Sequence, residues 1–253
     1  MSNFVTTFFR KRDEMNFKII EFKKIDSTND YLKNYFSNLD EGTVIVTKYQ
    51  TKGRGRLTRS WLDSKNNNLT FSILLYPKIA NPNLSKLTLM ACASVFDVLS
   101  KKADNIKIKW PNDILIDNKK ICGILTESIF EGNQLKCVII GIGINVNSKK
   151  FPNEIAMRAT SLYLATKNHF DLEELLQAIL TNFSKHYQMF LEDKHSYIDV
   201  CRLNSPYIGT MVKVLINEEL KEVKIIDILD NGNLLISDDN QLREIISGEI
   251  TLI

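Results

Sequence analysis

The stretch Leu135–Asn147 reads LKCVIIGIGINVN, and it indicates the strand around which the rest of the fold is arranged. Its run of branched apolar residues is long enough for a β-strand buried at the centre of a sheet. Gly141 and Gly143 end the run, and glycine within a strand marks a place where another group approaches the backbone closely. The third glycine of a dinucleotide fingerprint is missing, and no P-loop lysine follows. The sequence therefore predicts a central strand beside a ligand, outside the common nucleotide-binding folds.

Segments around this strand predict a mixed α+β domain. Strands are expected at Phe17–Lys24, Thr43–Tyr49, Leu69–Tyr76, Ile106–Lys109, Ile114–Ile116 and Lys120–Ile129. Apolar residues at helical spacing predict a helix at Leu84–Lys101, and Asp171 opens another that runs through Tyr187. Ser27 or Thr28 is placed to cap a short helix.

After Ser205–Pro206 the pattern changes to short strands alone. They are expected at Met211–Ile216, Val223–Leu229, Asn233–Ile236, Leu242–Ile246 and Ile250–Ile253. So many short antiparallel strands in about 50 residues are typical of a small barrel. We expect a boundary near Asn204, between a larger domain of residues 1–204 and a small domain of residues 205–253.

Composition excludes several classes of protein. The 253 residues are 44% hydrophobic and 25% charged, which is typical of a globular chain and excludes a disordered or fibrous one. Val138–Val146 is far shorter than the about 20 residues of a membrane-spanning helix. The first residues do not have the order of a secretory signal, so we expect a cytoplasmic protein. Cysteines and histidines show no metal-ligand spacing, so we expect no metal site made from protein side chains alone.

Positive charge is concentrated in the basic loop, Lys48–Trp61, which reads KYQTKGRGRLTRSW. It holds five cations and no acid. Gly53 and Gly55 allow the backbone to approach a ligand, and arginine side chains offer planar forks suited to phosphate or carboxylate. The pattern predicts an anion-binding loop, and a solvated basic surface loop is the alternative.

A second basic element follows at residues 109–113, which read KWPND. The proline turn presents Asn112 and Asp113. Lys120 leads into the next strand, three residues before Gly123. A lysine at this position can hold a point charge at the floor of a pocket whose wall comes close to the ligand.

Together these elements resemble the biotin protein ligase family. The motifs that carry the resemblance, in the family's order, are STN at 27–29, GRGRLTRSW at 53–61, KWPNDILI at 109–116, KKICGIL at 119–125, GIGINVN at 141–147 and ATSL at 159–162. The resemblance implies a catalytic domain of the biotin/lipoate ligase, class II synthetase-like type and a small SH3-like C-terminal domain. Only 26 residues precede Ser27, so we expect the form that lacks the DNA-binding domain of repressor members.

The resemblance also implies two-step chemistry. Biotin and MgATP give biotinyl-5′-AMP and pyrophosphate, and a lysine of a carrier protein then takes the biotinyl group. In the first step a carboxylate attacks an α-phosphorus, so cations are needed to neutralise the growing charge. The implied partner is the biotin carboxyl carrier protein of acetyl-CoA carboxylase or a related biotin-dependent carboxylase, with no DNA and no membrane. Pairing of protomers into a homodimer through an edge strand is left open.

The family match assigns roles to residues of this chain. The implied biotin-binding residues are Ser27, Thr28, Asn29, Gln50, Arg54, Lys120 and Gly123. The implied ATP- or adenylate-binding residues are Arg56, Arg59, Trp61, Asn112, Lys120, Asn145 and Thr160. The implied catalytic residues are Lys120, Arg56, Arg54 and Asp113, with Mg²⁺ arriving with ATP near Asp113. Arg56 would close over the mixed anhydride as a lid. Whether Asn112 and Asp113 face the phosphates, their magnesium or the incoming amine is left open.

Two positions depart from the family pattern. Thr58 and Ser247 stand where family members usually have glycine. In the basic loop, the departure at Thr58 puts the rate of loop closure in question.

Two other functions compete with this interpretation. A nucleic-acid-binding module could use the GRGRLTR sequence to follow phosphates. Its weakness is the net charge of +3, which gives little long-range attraction for a polyanion. A lipoate ligase or octanoyltransferase of the same fold is the nearer rival, since fold alone does not fix substrate. The arginine-rich, triple-glycine signature of the lipoate group is not found in this sequence.

Overall fold

The computed structural model describes residues 4–8, 15–56, 59–78, 84–216, 219–246 and 248–251. The strands are β1 (Phe4–Phe8), β2 (Phe17–Phe22), β3 (Thr43–Thr47), β4 (Asn68–Leu75), β5 (Ile106–Lys109), β6 (Asp113–Ile116), β7 (Lys119–Glu131), β8 (Gln134–Asn145), β9 (Met211–Ile216), β10 (Glu219–Ile228), β11 (Leu234–Asp238), β12 (Gln241–Ile245) and β13 (Glu249–Thr251). The helices are α1 (Thr28–Tyr35), α2 (Leu84–Leu99), α3 (Asn153–Ala156), α4 (Leu162–Thr166), α5 (Leu172–Leu191) and α6 (Ser196–Leu203).

The described residues form two β-sheets. The large sheet has eight strands in the order β1-β2-β3-β4-β8-β7-β6-β5 and is mixed, because β2 and β3 pair in parallel. The small sheet has five antiparallel strands in the order β12-β11-β10-β9-β13. The expected α+β class, with a mixed sheet followed by a small all-β part, is confirmed. β8 lies between β4 and β7, as the apolar run in its sequence predicts.

The two faces of the large sheet have different partners. α2 and α5 pack on one face, where the main core includes Phe71, Ile140 and Ile142. α1 packs on the other face over a small cluster that includes Leu74 and Ile139. Because strand residues alternate between faces, β8 turns its isoleucines at 140 and 142 to the core and leaves its glycines on the α1 face. This alternation places the β8 glycines on the face of the sheet where the candidate site lies.

Local sequence explains where the helices begin. Ser27 caps α1 and accepts a hydrogen bond from the backbone N–H of Asp30 at 3.3 Å. Asp171 caps α5 and accepts from two backbone N–H groups at 2.8 and 2.9 Å. α2 begins at Leu84 as predicted and ends at Leu99, two residues early.

Several elements were not predicted. No element was expected at β1, α3, α4 or α6, and α3 and α4 lie between the central strand and the helix that Asp171 opens. Each has eight residues or fewer, so each offers at most two turns or a few alternations of pattern. The last expected strand reached Ile253, but residues 252 and 253 lie outside the described part of the chain.

Trp110 joins the small sheet to the large one. Its side chain is 1% exposed, and its indole N–H donates to the carbonyl of Gly232 at 3.0 Å, in the turn before β11. The backbone N–H of Ile108 donates to the carbonyl of Asn204 at 3.0 Å, beside the same junction. Trp110 is therefore a core residue that also links the two sheets.

No helix in the described ranges combines the length and the apolar character needed to cross a bilayer.

Trp110→Phe should destabilise the protein by about 1 to 3 kcal/mol, because the change leaves a buried carbonyl without its donor. Urea unfolding followed by circular dichroism measures the free energy of unfolding. Trp61→Phe is the matched control, since the Trp61 indole nitrogen has no hydrogen-bond partner among the described residues. Equal losses in the two variants would contradict a role for the Trp110 hydrogen bond.

Candidate active site

Three glycines form a floor without side chains on the α1 face of the large sheet. Gly123 in β7 is paired directly with Gly143 in β8, and Gly141 lies two residues away on the same face. A Cβ on Gly143 would lie 2.5 Å from the indole ring of Trp61, and one on Gly141 would lie 2.2 Å from the Oδ1 of Asn29. Both side chains therefore approach the backbone more closely than any larger residue would permit.

A cavity of about 820 Å³ opens above this glycine floor. The predicted site residues that line it are Ser27, Thr28, Asn29, Gln50, Arg54, Arg56, Arg59, Trp61, Asn112, Asp113, Lys120, Gly123 and Asn145. Thr160 is not among the lining residues, and its backbone N–H donates to the carbonyl of Lys120 at 3.0 Å. The two basic elements, which are far apart in sequence, thus share one cavity.

One end of the cavity is a buried polar cluster at the start of α1. The Oε1 of Gln50 accepts from the backbone N–H of Thr28 at 2.8 Å and lies 3.1 Å from the Thr28 hydroxyl. The hydroxyl of Ser72 lies 2.6 Å from the Thr28 hydroxyl and 2.5 Å from the Oδ1 of Asn29. All four residues are buried. Buried polar groups need partners, and the members of this cluster supply part of them to one another while the cluster faces the cavity.

Ser72 belongs to this cluster and was missed by the sequence analysis. It is fully buried in β4, and Thr70 lies two residues before it on the same face of a strand that is otherwise mostly apolar. Two small hydroxyl residues with this spacing were the available signal. The role of these hydroxyl groups depends on which helix packs over that face of the sheet, and here that helix is α1.

Acidic residues surround Arg54 at the same end. Its guanidinium contacts Asp30 at 2.5 Å and Glu127 at 3.0 and 3.2 Å. The ammonium of Lys33 lies 2.5 Å from Glu127. Arg54 was expected to approach a ligand carboxylate, whereas here its fork is bonded to two protein carboxylates. Neither acid was singled out from the sequence.

Glu127 is held ionised by this environment. Burial opposes ionisation, but hydrogen bonds from Lys33 and Asn29 and the charges of Lys33 and Arg54 outweigh it, so the pKa of Glu127 lies below its ordinary value. The carboxylate therefore acts as a hydrogen-bond acceptor only.

The other end of the cavity carries an ion pair. The ammonium of Lys120 lies 2.6 Å from Asp113 Oδ1. It also lies 2.9 Å from where a Cβ of Gly123 would be, so the charge sits directly above the glycine floor. Asn112 is fixed beside the pair, because its Nδ2 donates to the carbonyl of Ile124 at 2.8 Å.

The basic loop folds back on itself at the rim of the cavity. The N–H of Trp61 donates to the Gly53 carbonyl at 2.9 Å, and the N–H of Gly55 donates to the Arg59 carbonyl at 2.7 Å. A Cβ on Gly53 would lie 2.6 Å from the Trp61 carbonyl, so glycine is needed for this turn. Thr58 and Ser247, which depart from the family pattern, lie outside the described residues.

Arg56 reaches from this loop to two other parts of the molecule. Its guanidinium donates to Oδ1 of Asn112 at 3.1 Å and to the carbonyl of Gly248, before β13, at 3.3 Å. Arg56 thus connects the loop, the KWPND turn and the small sheet.

Trp61 and Asn145 lie beside the floor on the remaining wall. The buried indole nitrogen of Trp61 has no partner within the described ranges, a costly state that a ligand acceptor would relieve. The Oδ1 of Asn145 lies 3.2 Å from the side-chain amide of Asn68. The described ranges contain no group of three or more His, Cys, Asp or Glu side chains that could hold a metal ion.

Gly143→Ala should displace the Trp61 indole and destabilise the protein by about 1 to 3 kcal/mol, as overpacking does. Tryptophan emission should shift to longer wavelength, and Trp110, the other tryptophan, is buried elsewhere. Gly55→Ala is the control, because its added Cβ would make ordinary contacts at 3.5 Å. An unshifted spectrum in Gly143→Ala would argue against the described packing of Trp61.

Comparison with known proteins places these features in context. The model of the Biotin/lipoate A/B protein ligase family matches residues 21–145, and the Biotin protein ligase C terminal domain model matches residues 207–252. The bifunctional ligase/repressor BirA of Bacillus subtilis is 37% identical over 222 residues, which cover 85% of this chain and 68% of that protein. The biotin acetyl-CoA-carboxylase ligase of Paracoccus denitrificans is 29% identical over 168 residues, which cover 64% of this chain and 70% of that protein. The biotin protein ligase of Aquifex aeolicus, solved in complex with biotin and ATP, is 36% identical with a TM-score of 0.82, covering 93% of this chain and 98% of that one.

Proposed function

The chain belongs to the biotin protein ligase family, and from this premise we propose how its cavity performs the family's reaction. The protein is an ATP-dependent ligase that joins biotin to a lysine of a biotin carboxyl carrier protein through biotinyl-5′-AMP. The relatives do not favour a nucleic-acid-binding module or a lipoate ligase.

One observation carries the assignment of roles to individual residues. A neutral, hydrogen-bonding cluster and a cationic group face the same cavity over the glycine floor. The cluster around Thr28 and Gln50 suits the ureido ring of biotin, which has two N–H donors and one carbonyl acceptor. The Lys120 end suits the carboxylate of biotin and the phosphates of ATP.

Lys120 is the proposed centre of the first step. A carboxylate oxygen of biotin attacks the α-phosphorus of ATP, and the bond to the departing pyrophosphate breaks. Both partners are anions that repel each other, and negative charge shifts onto the phosphate oxygens and the departing pyrophosphate. An ammonium between the partners therefore lowers the free energy of the transition state. Lys120 is paired with Asp113 at 2.6 Å, so the substrate anions are proposed to share the ammonium with this carboxylate.

Asp113 is proposed to serve the second step. The lysine amine of the carrier attacks the carbonyl carbon of the anhydride, and AMP leaves. That amine is mostly protonated at neutral pH and must lose a proton before it can attack. Asp113 lines the cavity and is the carboxylate that forms an ion pair with Lys120, so it is the proposed proton acceptor.

Arg56 is the proposed lid residue. It lines the cavity and bonds to both the Asn112 side chain and the Gly248 carbonyl, contacts that hold the basic loop across the cavity rim. A closed loop excludes water from the mixed anhydride and retains it until the carrier lysine arrives.

Magnesium is proposed to enter with ATP. The donor set fits this ion, because Mg²⁺ is usually bound by one or two carboxylates together with substrate phosphates, and Asp113 supplies one carboxylate in the cavity. The bound ion would neutralise phosphate charge.

We also propose the larger organisation. Residues 1–204 are assigned as the catalytic domain and residues 205–253 as the small domain, supported by the start of the small sheet at Met211. The four cysteines are free and buried, which supports a cytoplasmic location. Formation of a homodimer stays a prediction.

Lys120→Ala should reduce biotin-dependent pyrophosphate release about 100-fold or more, because the developing charge loses its counter-ion. A coupled pyrophosphate assay with saturating biotin and ATP measures the rate. Lys119→Ala is the matched control, since the neighbouring Lys119 is exposed and does not line the cavity. Normal release by Lys120→Ala would refute its proposed role.

Arg56→Ala should still form biotinyl-5′-AMP but release it, because the contacts that close the loop are lost. The measurement is biotin incorporation into lysines of a bystander protein such as serum albumin. Arg243→Ala is the control, because Arg243 is an exposed arginine of the small sheet paired with Asp238. Tight retention of the adenylate by Arg56→Ala would count against the lid.

A further inference from the structure

Glu127 accepts hydrogen bonds from both the binding cluster and the cations beside it. Its Oε2 accepts from Asn29 Nδ2 at 2.8 Å and from Arg54 at 3.0 Å. Its Oε1 accepts from Lys33 at 2.5 Å and from Arg54 at 3.2 Å. The side chain is 17% exposed and lies on β7 on the face of the glycine floor. A carboxylate in this position is surrounded by donors on both oxygens.

This carboxylate fixes the orientation of the Asn29 amide. The Nδ2 of Asn29 donates to Glu127 and, at 3.4 Å, to the carbonyl of Leu125, and both of these groups are acceptors only. The Oδ1 must then point the other way, where it lies 2.5 Å from the Ser72 hydroxyl. Gly141 leaves the room for it, since a Cβ there would lie 2.2 Å from Oδ1.

Fixing Asn29 also fixes the protons of two hydroxyl groups. The Ser72 and Asn29 oxygens, 2.5 Å apart, need a proton between them, and only Ser72 has one to give. The Ser72 and Thr28 oxygens are 2.6 Å apart and need a second proton. Ser72 has already used its own, so Thr28 supplies it. The hydrogen bonds therefore run in one direction: Thr28 donates to Ser72, Ser72 to Asn29, and Asn29 to Glu127. The hydrogen bonds in such a chain strengthen one another.

The consequence appears on the cavity side. The Thr28 hydroxyl has one proton, which could otherwise be donated to the Oε1 of Gln50 at 3.1 Å. With that proton directed to Ser72 at the shorter distance of 2.6 Å, the Thr28 oxygen is left as an acceptor beside the Gln50 acceptor. Two neighbouring acceptors facing a cavity call for an N–H donor from a ligand. A urea ring offers such donors, whereas the dithiolane ring of lipoate offers none.

We propose that Glu127 is a positioning residue for biotin recognition: through Asn29 and Ser72 it directs the Thr28 hydroxyl so that the cavity presents acceptors to a ureido N–H. This inference rests on the proposed function, since it concerns how the same cavity selects its acid. Glu127 acts through other residues and is not assigned a contact with biotin.

The discriminating variant is Glu127→Gln, which keeps the volume of the side chain. Glutamine brings an NH₂ group that faces either Asn29 or the cations, so it cannot satisfy every donor that the carboxylate accepts. If the Asn29 amide rotates so that its nitrogen faces Ser72, then Ser72 no longer donates to Asn29 and the order of donors in the chain is lost. Direct titration with biotin, in the absence of ATP, should show affinity weakened about tenfold or more, as expected for loss of a charge-assisted network. Affinity for ATP measured separately should stay within about twofold.

A compensating pair makes the test specific. Asn29→Asp alone places two carboxylates 2.8 Å apart and should also weaken biotin binding about tenfold or more. The double variant Glu127→Gln with Asn29→Asp restores a donor facing an acceptor, with the directions exchanged, and leaves acceptor oxygen toward Ser72. It should bind biotin more tightly than either single variant. Glu131→Gln is the control, because Glu131 lies on the same strand, is 78% exposed and pairs with Lys136.

Outcomes of the titrations separate the possible failures. Thermal unfolding of each variant shows whether it is folded, and loss of biotin and ATP affinity together would indicate a merely structural role and overturn the inference. Biotin affinity within twofold of wild type in Glu127→Gln, or a double variant no better than the singles, would also overturn it while leaving the proposed function intact. If wild-type protein itself binds no biotin, the proposed function fails and the inference with it.

Discussion

The absence of side chains at Gly123, Gly141 and Gly143 is the constraint on which the rest of the site depends. β7 and β8 are central strands, and one face of each is packed with isoleucine against the helices. On the other face, an ordinary residue at these positions would occupy the space now used by Trp61, Asn29 and Lys120. The glycines weaken the strands locally, and the cost is offset by a sheet that is buried on both sides. The result is a floor of backbone without side chains at the base of the cavity.

Charges around this floor are paired with other side chains of the protein. Arg54 is hydrogen-bonded to Asp30 and Glu127, and Lys120 forms an ion pair with Asp113. An unpaired charge in a partly buried cavity is costly, so pairing stabilises the fold around the cavity. The two cations differ in their pairing. Lys120 pairs with Asp113 above the glycine floor, whereas Arg54 is bonded to two acids at the end of the cavity formed by the start of α1.

The sequence predicted the parts of the site that depend on local pattern. The apolar run of β8, the glycines within it and the basic loop with paired glycines each have a direct physical meaning, and the motifs together identified the family. Residues whose meaning depends on a neighbouring element were not found. Ser72 and Glu127 are ordinary strand residues until α1 is placed above them. The bonding of Arg54 to protein acids was missed for the same reason, since Asp30 and Glu127 are 24 and 73 positions away in sequence.

The central claim is that this cavity joins the carboxylate of biotin to the α-phosphate of ATP. The most direct measurement is the exchange of labelled pyrophosphate into ATP catalysed by the wild-type protein, with biotin or with lipoate as the added acid. Exchange that requires biotin and is not supported by lipoate is the predicted result. Exchange supported equally by lipoate, or none with biotin, would contradict the account.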